Sequence, residues 1–389
     1  MINNQALSVL SLIKCGIYGG KPCLPEDFNI QHIYSLAKQH QIMGVLLYGL
    51  LAAGFDIGMP EIKPLYAGAL AETIFHEKQQ AEISRIYDAL NKSKISFMPL
   101  KGALLKGIYP RPELRVMSDV DILIRTEEYG LISPVMTALG FEEQYESDHE
   151  IVWKNAGLTV EFHKHLIPSY NSDYHGYFKD VWDKAVPIDG YRFCLEKNDE
   201  FIYNFTHLAK HYRDGGIGFK HYIDIQLMLE KYDPNLEYVR SELAKLHLER
   251  FLDNVLKTLD FWFGEGEYTD TVGIILKHTF LGGAYGSAGD QLTGRVVRNA
   301  ERSHSRMRAI TDMVFPSAKV LKPTYKYLEK FPVLLPIAWI SRWANALFLQ
   351  PGRLKRGAKY IEVAGSDKVD QHLRLLRSVG IEYNLKKDD

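Results

Sequence analysis

Arg115-Val116-Met117-Ser118-Asp119-Val120-Asp121-Ile122-Leu123-Ile124 is the stretch of this 389-residue chain that decides its fold. Its second half is a short apolar run interrupted by two acids at alternate positions, the period of a β-strand. Strand side chains alternate faces, so Asp119 and Asp121 share one face while Val120 and Ile122 point into a core. Two carboxylates held together on an apolar strand repel each other and lose hydration. A divalent cation between them, usually Mg²⁺ with oxygens at ~2.0–2.1 Å, makes the pair tolerable. Taken alone, such a pair is more often two solvated aspartates at a strand end, so the flanking sequence has to decide.

Downstream, Thr126 to Leu139 reads as a helix, with Thr126-Glu127-Glu128 at its start and Gly140 as its stop. Phe141 to Tyr145 follows. Glu150 to Lys154 and Leu158 to His163 then flank Asn155-Ala156-Gly157, the pattern of a hairpin. The second arm carries Glu161 between Val160 and Phe162, a third acid of the same character. Three carboxylates from two strands of one sheet suit two ions ~3.5–4 Å apart, a clamp for in-line attack on phosphorus. Upstream, Ile95 to Leu100 reads as a strand that ends in Lys101-Gly102 and opens a short helix, Ala103 to Ile108, stopped by Tyr109-Pro110-Arg111-Pro112. A phosphate-binding turn needs this arrangement: Gly102 for close backbone approach, free N–H groups at a helix start, and charge from Lys101.

These residues resemble a family. Pro99-Leu100-Lys101-Gly102, Tyr109-Pro110 and Arg115-Val116-Met117-Ser118-Asp119-Val120-Asp121-Ile122-Leu123 look like an uncharacterised bacterial branch of the polymerase-β-type nucleotidyltransferases. His207-Leu208-Ala209-Lys210-His211 followed by Tyr222-Ile223-Asp224 looks like the same branch, as does the leading helical region. The resemblance implies two-metal transfer of an NMP from an NTP such as ATP. Asp119 and Asp121 are then metal ligands, Glu161 the third carboxylate and candidate base, and Lys101, Gly102 and Ser118 part of the nucleotide site. One departure stands out: the superfamily's usual turn is Gly-Ser or Gly-Gly, and Lys101-Gly102 stands in its place. That lysine either holds a phosphate or marks altered or lost chemistry. Arg115, four residues before Asp119, pairs either with the triphosphate or with acids as a structural ion pair.

Further candidates are weaker. His207 and His211, four apart on a helix, have the spacing of a zinc pair but no evident third ligand. A structural or substrate-contacting role, with Asp224 as hydrogen-bond partner, is preferred. Lys210 and Lys220 add to a phosphate-facing patch. His163 falls on the same face as Glu161 and either orients it or lies at the surface. Arg295, Arg298, Arg302 and Arg306 form one helix stripe, either solvated or facing an acidic partner.

Composition bounds the remainder. Forty-seven Lys and Arg against 48 Asp and Glu give a net charge of −1, which excludes a polybasic nucleic-acid binder and argues mildly against RNA as acceptor. Cys15, Cys23 and Cys194 are odd in number and lack CxxC spacing, so neither a disulfide framework nor a structural zinc site is expected. Phe331 to Leu349 approaches the length of a spanning helix, but Pro332, Pro336 and Arg342 argue for a buried or interfacial helix. With Arg353, Lys355, Arg356 and Lys359 after it, residues 331–360 are a candidate for peripheral contact with an anionic membrane. No secretory signal is evident, and a cytoplasmic location is expected. Helical periodicity over Ile33–Leu51, Pro64–Lys92, Glu200–Tyr212, Phe219–Lys231 and Leu236–Phe263 surrounds the mixed segment.

The expected architecture is α+β: a small mixed sheet core at 95–195, an N-terminal helical region at 1–94 and a large C-terminal helical domain at 196–389. The expected function is an Mg²⁺- or Mn²⁺-dependent nucleotidyltransferase acting on a small molecule or a protein hydroxyl. The alternatives are an inactive nucleotide-binding scaffold of the same fold, or a helical membrane-surface adaptor.

Overall fold

Asn3 opens the first helix by accepting the Ala6 N–H at 2.9 Å, and Gly19, at φ 76°, closes it. The computed structural model describes residues 3–284, 288–303, 306–322, 324–348 and 351–382. Helices α1 (Asn4–Tyr18), α2 (Ile33–His40), α3 (Met43–Ala52) and α4 (Lys63–Lys92) form the N-terminal region. The periodicity that suggested one helix over 33–51 belongs to two, because Gln41 adopts a left-handed conformation (φ 56°) and turns the chain. Pro64 in the first turn of α4 meets no penalty, since the N–H it lacks would be unpaired there.

The centre is one seven-stranded mixed sheet built from β1 (Phe97–Pro99), β2 (Val120–Ile124), β3 (Glu142–Glu146), β4 (Glu150–Lys154), β5 (Thr159–His163), β6 (Ala185–Asp189) and β7 (Arg192–Leu195). The spatial order is β3-β4-β5-β2-β1-β7-β6. Strand β2 runs parallel to β5 and antiparallel to β1, which places two acid-bearing strands side by side. The hairpin of β4 and β5 forms as the sequence indicated. Asn155 Oδ1 accepts the Gly157 and Leu158 N–H groups at 2.9 and 2.8 Å, shaping its turn. The hairpin β6–β7 was not expected: its arms are four or five residues long, one with a proline, and Gly190 at φ 53° supplies the turn. Short helices α5 (Gly102–Leu105), α6 (Ile132–Ala138) and α7 (Ser172–Tyr177) complete this part, α6 being preceded by a 3₁₀ segment at Thr126–Leu131.

The two faces of the sheet are covered differently. Val120, Ile122 and Ile124 pack with Ile83, Ile86 and Leu90 of α4 and with Ile132 and Met136 of α6. Leu123 instead joins a large apolar cluster with Phe201, Phe205 and Tyr222 of the C-terminal helices. Asp121 therefore faces the C-terminal helices, as the alternation of β2 requires. Those helices are α8 (Lys197–Arg213), α9 (Phe219–Tyr232), α10 (Leu236–Ala244), α11 (Glu249–Phe263), α12 (Asp270–Gly282), α13 (Ala288–Ser303), α14 (Arg306–Val314), α15 (Ala318–Leu321), α16 (Leu335–Phe348), α17 (Pro351–Ala364) and α18 (Asp367–Val379). The single helix expected over 236–263 is again two, broken where His247 takes φ 55°.

Among the described residues no helix is long and apolar enough to cross a membrane. Helix α16 docks one side through Trp339 and Arg342, which donate to the Pro316 and Met313 carbonyls at 2.8 and 3.0 Å. Its other side leaves Ile337 and Ile340 exposed, next to exposed Phe331 and Val333. The side chains of Arg302, Arg306, Arg353, Lys355 and Arg356 lie outside the described residues; Lys359 is exposed. Cys15, Cys23 and Cys194 are free thiols.

Candidate active site

The register of the central strands builds the site. Asp121 of β2 lies directly opposite Glu161 of β5, and His163 comes two residues further along the same face. The Leu100 N–H donates to the Asp121 carbonyl at 3.0 Å, so the turn after β1 is tied to the middle of β2. That turn carries Lys101 at φ 48°, a conformation costing about 1–2 kcal/mol for a residue with a side chain. Gly102 follows because a Cβ there would lie 2.9 Å from the Met117 sulfur. From this turn Lys101 Nζ reaches Asp121 Oδ1 at 2.9 Å, while His163 Nε2 approaches the same oxygen at 2.7 Å. His163 Nε2 also stands 3.7 Å from Glu161 Oε2.

Asp121, Glu161 and His163 offer three ligand atoms within 4.8 Å of one another. Asp119 lines the same cavity, with Ser118 Oγ donating to its Oδ1 at 3.2 Å. The cavity, about 380 Å³, lies between the sheet and helices α8 and α9. Lys101, Gly102, Arg115, Ser118, His207, His211 and Lys220 line it as well. Of the residues expected from sequence to form the nucleotide and metal site, Asp224 alone is not in the wall.

Electrostatics separates the acids. Burial would raise the Asp121 carboxyl, but Lys101 and the hydrogen bond to His163 hold it well below the usual carboxylate range. Glu161 has no such partner: burial, with Asp121 and Asp119 nearby, pushes it up to about 8. Asp119 is raised by burial and by Asp121. Burial pulls Lys101 down, but Asp121 together with Tyr203 and Asp119 holds it above its usual range. Burial and the neighbouring Arg115 bring Lys220 down to about 7. His207 and His211 are held neutral by burial and surrounding cations, and their rings lie 4.4 Å apart.

Arg115 is engaged in an ion pair, one of the two roles expected for it, and its partner Asp224 is not where the sequence placed it. Arg115 Nε and Nη2 donate to the two Asp224 oxygens at 2.7 and 2.8 Å, and both side chains are about 6% exposed. Tyr109 donates to Asp224 at 2.7 Å. Asp224 is thus the buried counter-ion of Arg115 rather than a partner of the α8 histidines. Their fork-to-fork pair ties the segment before β2 to α9 beneath the cavity floor. Breaking such a pair from one side strands a buried charge, at a cost of about 3–5 kcal/mol.

Sequence reasoning passed over His149, Glu150, Tyr170 and His221, which also line the cavity. For Glu150 a signal was available: the turn at 155–158 fixes the β4–β5 register and sets Glu150 opposite His163. His221, one turn along α9 from the expected Asp224, has its ring 5.3 Å from that of His211.

A family model described as an uncharacterised nucleotidyltransferase matches residues 26–264, which include the sheet, the turn at Lys101-Gly102 and both strands that carry the acids. The chain belongs to this nucleotidyltransferase family. No curated protein and no solved structure matches it significantly.

Proposed function

We propose that the cavity between β2, β5 and the α8–α9 pair carries metal-dependent transfer of an NMP from an NTP to an acceptor hydroxyl. The observation that carries this reading is the register of β2 and β5. It sets Asp121 opposite Glu161 at the wall of one cavity, with Lys101 on the turn beside them.

The donor set fits a divalent ion. Two carboxylates and an imidazole converge, and burial with the neighbouring Asp121 and Asp119 pushes Glu161 up to about 8 despite Lys101 nearby. Oxygen donors favour Mg²⁺, and the nearby imidazole admits Mn²⁺. A bound ion, held by Asp121 and Glu161 with Asp119 beside them, supplies positive charge to the triphosphate. Lys101 beside the acids, and Lys210 and Lys220 from the opposite wall, supply more. Lys220, at about 7, gains its proton as an anion enters, so the pocket becomes more cationic when phosphate arrives. With an ion bound, Glu161 gives up its proton to solvent. The carboxylate then accepts the proton of the acceptor hydroxyl as that oxygen bonds to the α-phosphorus and pyrophosphate leaves. The buried neutral histidines of α8 shape that wall and donate without adding charge.

A second cavity of about 540 Å³ shares Tyr170 and His211 with the first and continues to Asp214, Arg295 and Arg298. It is the natural place for the acceptor. Arg298 is committed to Asp214 and covers the Tyr170 ring, whereas Arg295 is exposed. A small molecule or a protein hydroxyl suits this space better than an RNA end.

One observation favours an inactive scaffold: Lys101 Nζ already sits on Asp121, where an ion's charge is needed. A single experiment separates the two readings. The protein is incubated with Mg²⁺ or Mn²⁺ and each NTP, labelled at either the α- or the γ-phosphate. Active transfer retains the α label on an acceptor or on the protein and releases the γ label as pyrophosphate, and Asp121→Asn and Glu161→Gln abolish both. Nucleotide binding without release of label from the wild-type chain assigns the scaffold.

A further inference from the structure

We propose that His149, Glu150 and His163 form a second cation site, one suited to a transition-metal ion such as Zn²⁺, on the side of His163 away from the Asp121–Glu161 pair. Three ligand atoms converge there. His163 Nδ1 lies 3.1 Å from His149 Nε2 and 3.6 Å from Glu150 Oε2, and the last two atoms are 3.9 Å apart. A tetrahedral ion with bonds of ~2.0–2.2 Å requires ligand atoms roughly 3.3–3.6 Å apart. The three sides bracket that range, so an ion enters with side-chain shifts of a few tenths of an ångström and no rearrangement of the hairpin.

Two of the three ligands are oriented from behind, while His149 Nδ1 is buried without a hydrogen-bond partner among the described residues. His163 Nε2 is engaged by Asp121 Oδ1 at 2.7 Å, which assigns the ring proton to Nε2 and turns the Nδ1 lone pair toward the triangle. This is the carboxylate–histidine arrangement that holds metal-bound imidazoles in place. Tyr145 donates to Glu150 Oε1 at 2.9 Å and leaves Oε2 to the ion. The β4–β5 ladder pairs Glu150 with His163, and the Tyr129 hydroxyl donates to the Phe162 carbonyl behind them. All three ligands line the cavity, so the fourth position of a tetrahedral ion opens into it, toward water or substrate. Two imidazoles with a single carboxylate select Zn²⁺ or Co²⁺ over Mg²⁺.

His163 then lies between two cation positions: its Nδ1 faces this one, while its Nε2–H is held by Asp121, a carboxylate of the other. The site stands independently of nucleotidyl transfer, since none of its three ligands depends on a bound nucleotide. The opposing explanation is a plain hydrogen bond from His149 Nε2 to His163 Nδ1, with Glu150 beside it.

Metal-stripped full-length protein titrated with Co²⁺ decides between them. The expected result is one equivalent of Co²⁺ with the intense visible absorption of a tetrahedral ion, displaced by Zn²⁺ and untouched by millimolar-range Mg²⁺. His149→Asn and Glu150→Gln should each weaken binding at least about 100-fold, since even outer-shell changes cost 10–100-fold. Asp119→Asn should leave it unchanged. Absence of the tetrahedral spectrum overturns the proposal. So does a spectrum that survives His149→Asn but disappears in Asp119→Asn, because the ion then sits on the carboxylates. X-ray absorption of the Zn²⁺-loaded wild type needs no variant: two imidazoles per ion support the site, and an oxygen-only shell refutes it.

Discussion

Glu161 sits in an environment far from what its identity alone implies. Its carboxyl is raised from an ordinary value to about 8 by burial and by Asp121 and Asp119, with its side chain 22% exposed. For an acid whose folded value is raised, the folded state binds the extra proton, so stability falls as pH climbs from ~4.3 toward 8 and levels off above. Glu161→Gln removes that slope. In metal-free protein the variant should match the wild type near pH 4 and exceed it by about 1–3 kcal/mol near pH 9, as read from urea midpoints. Parallel pH profiles for the two proteins contradict the clustering of charge. The acids themselves were legible because strand alternation is a strong local signal. The partners of Lys101 and Arg115 were not: Asp121 and Asp224 lie 20 and 109 residues away in sequence, and nothing local fixes which acid a cation meets.

At the scale of elements, most helices and the central strands could be read from apolar periodicity. What periodicity missed were interruptions: Gln41 and His247 turn the chain with left-handed backbones that only a φ angle reveals. The β6–β7 hairpin was missed because arms of four and five residues carry too little alternation. Close packing is similarly silent in sequence. Helices α1 and α3 approach at Gly16 and Gly49, where an added Cβ would lie 2.0 and 2.2 Å from the Val45 and Leu12 carbonyl oxygens. Backbone cannot step aside as a side chain can, so Gly16→Ala and Gly49→Ala should each cost about 1–3 kcal/mol or more in urea denaturation. Gly107→Ala, with nothing within 4 Å of the new atom, should stay within about 0.5 kcal/mol. Equal effects at all three positions contradict the helix contact.

For the whole molecule, the sheet is a partition. One face is sealed by α4 and α6, the other meets the C-terminal helices, and the acids sit where that second interface opens into a cavity. The C-terminal helices therefore supply one wall of the cavity: His207, Lys210, His211, Lys220 and His221 come from α8 and α9. The family match, which runs through residue 264, spans both walls. The near-neutral net charge conceals the asymmetry, since lysines on one wall face carboxylates on the other. The central claim is that these two walls together hold a triphosphate and its cation. A crystal of the full-length protein soaked with Mn²⁺ and a non-hydrolysable NTP, with anomalous scattering recorded at the manganese edge, tests it most directly. The expected result is a manganese peak between Asp121 and Glu161 and triphosphate density reaching Lys101-Gly102 from the α8–α9 side. Manganese absent from those carboxylates, or a nucleotide seated elsewhere with Lys101 still on Asp121, contradicts it.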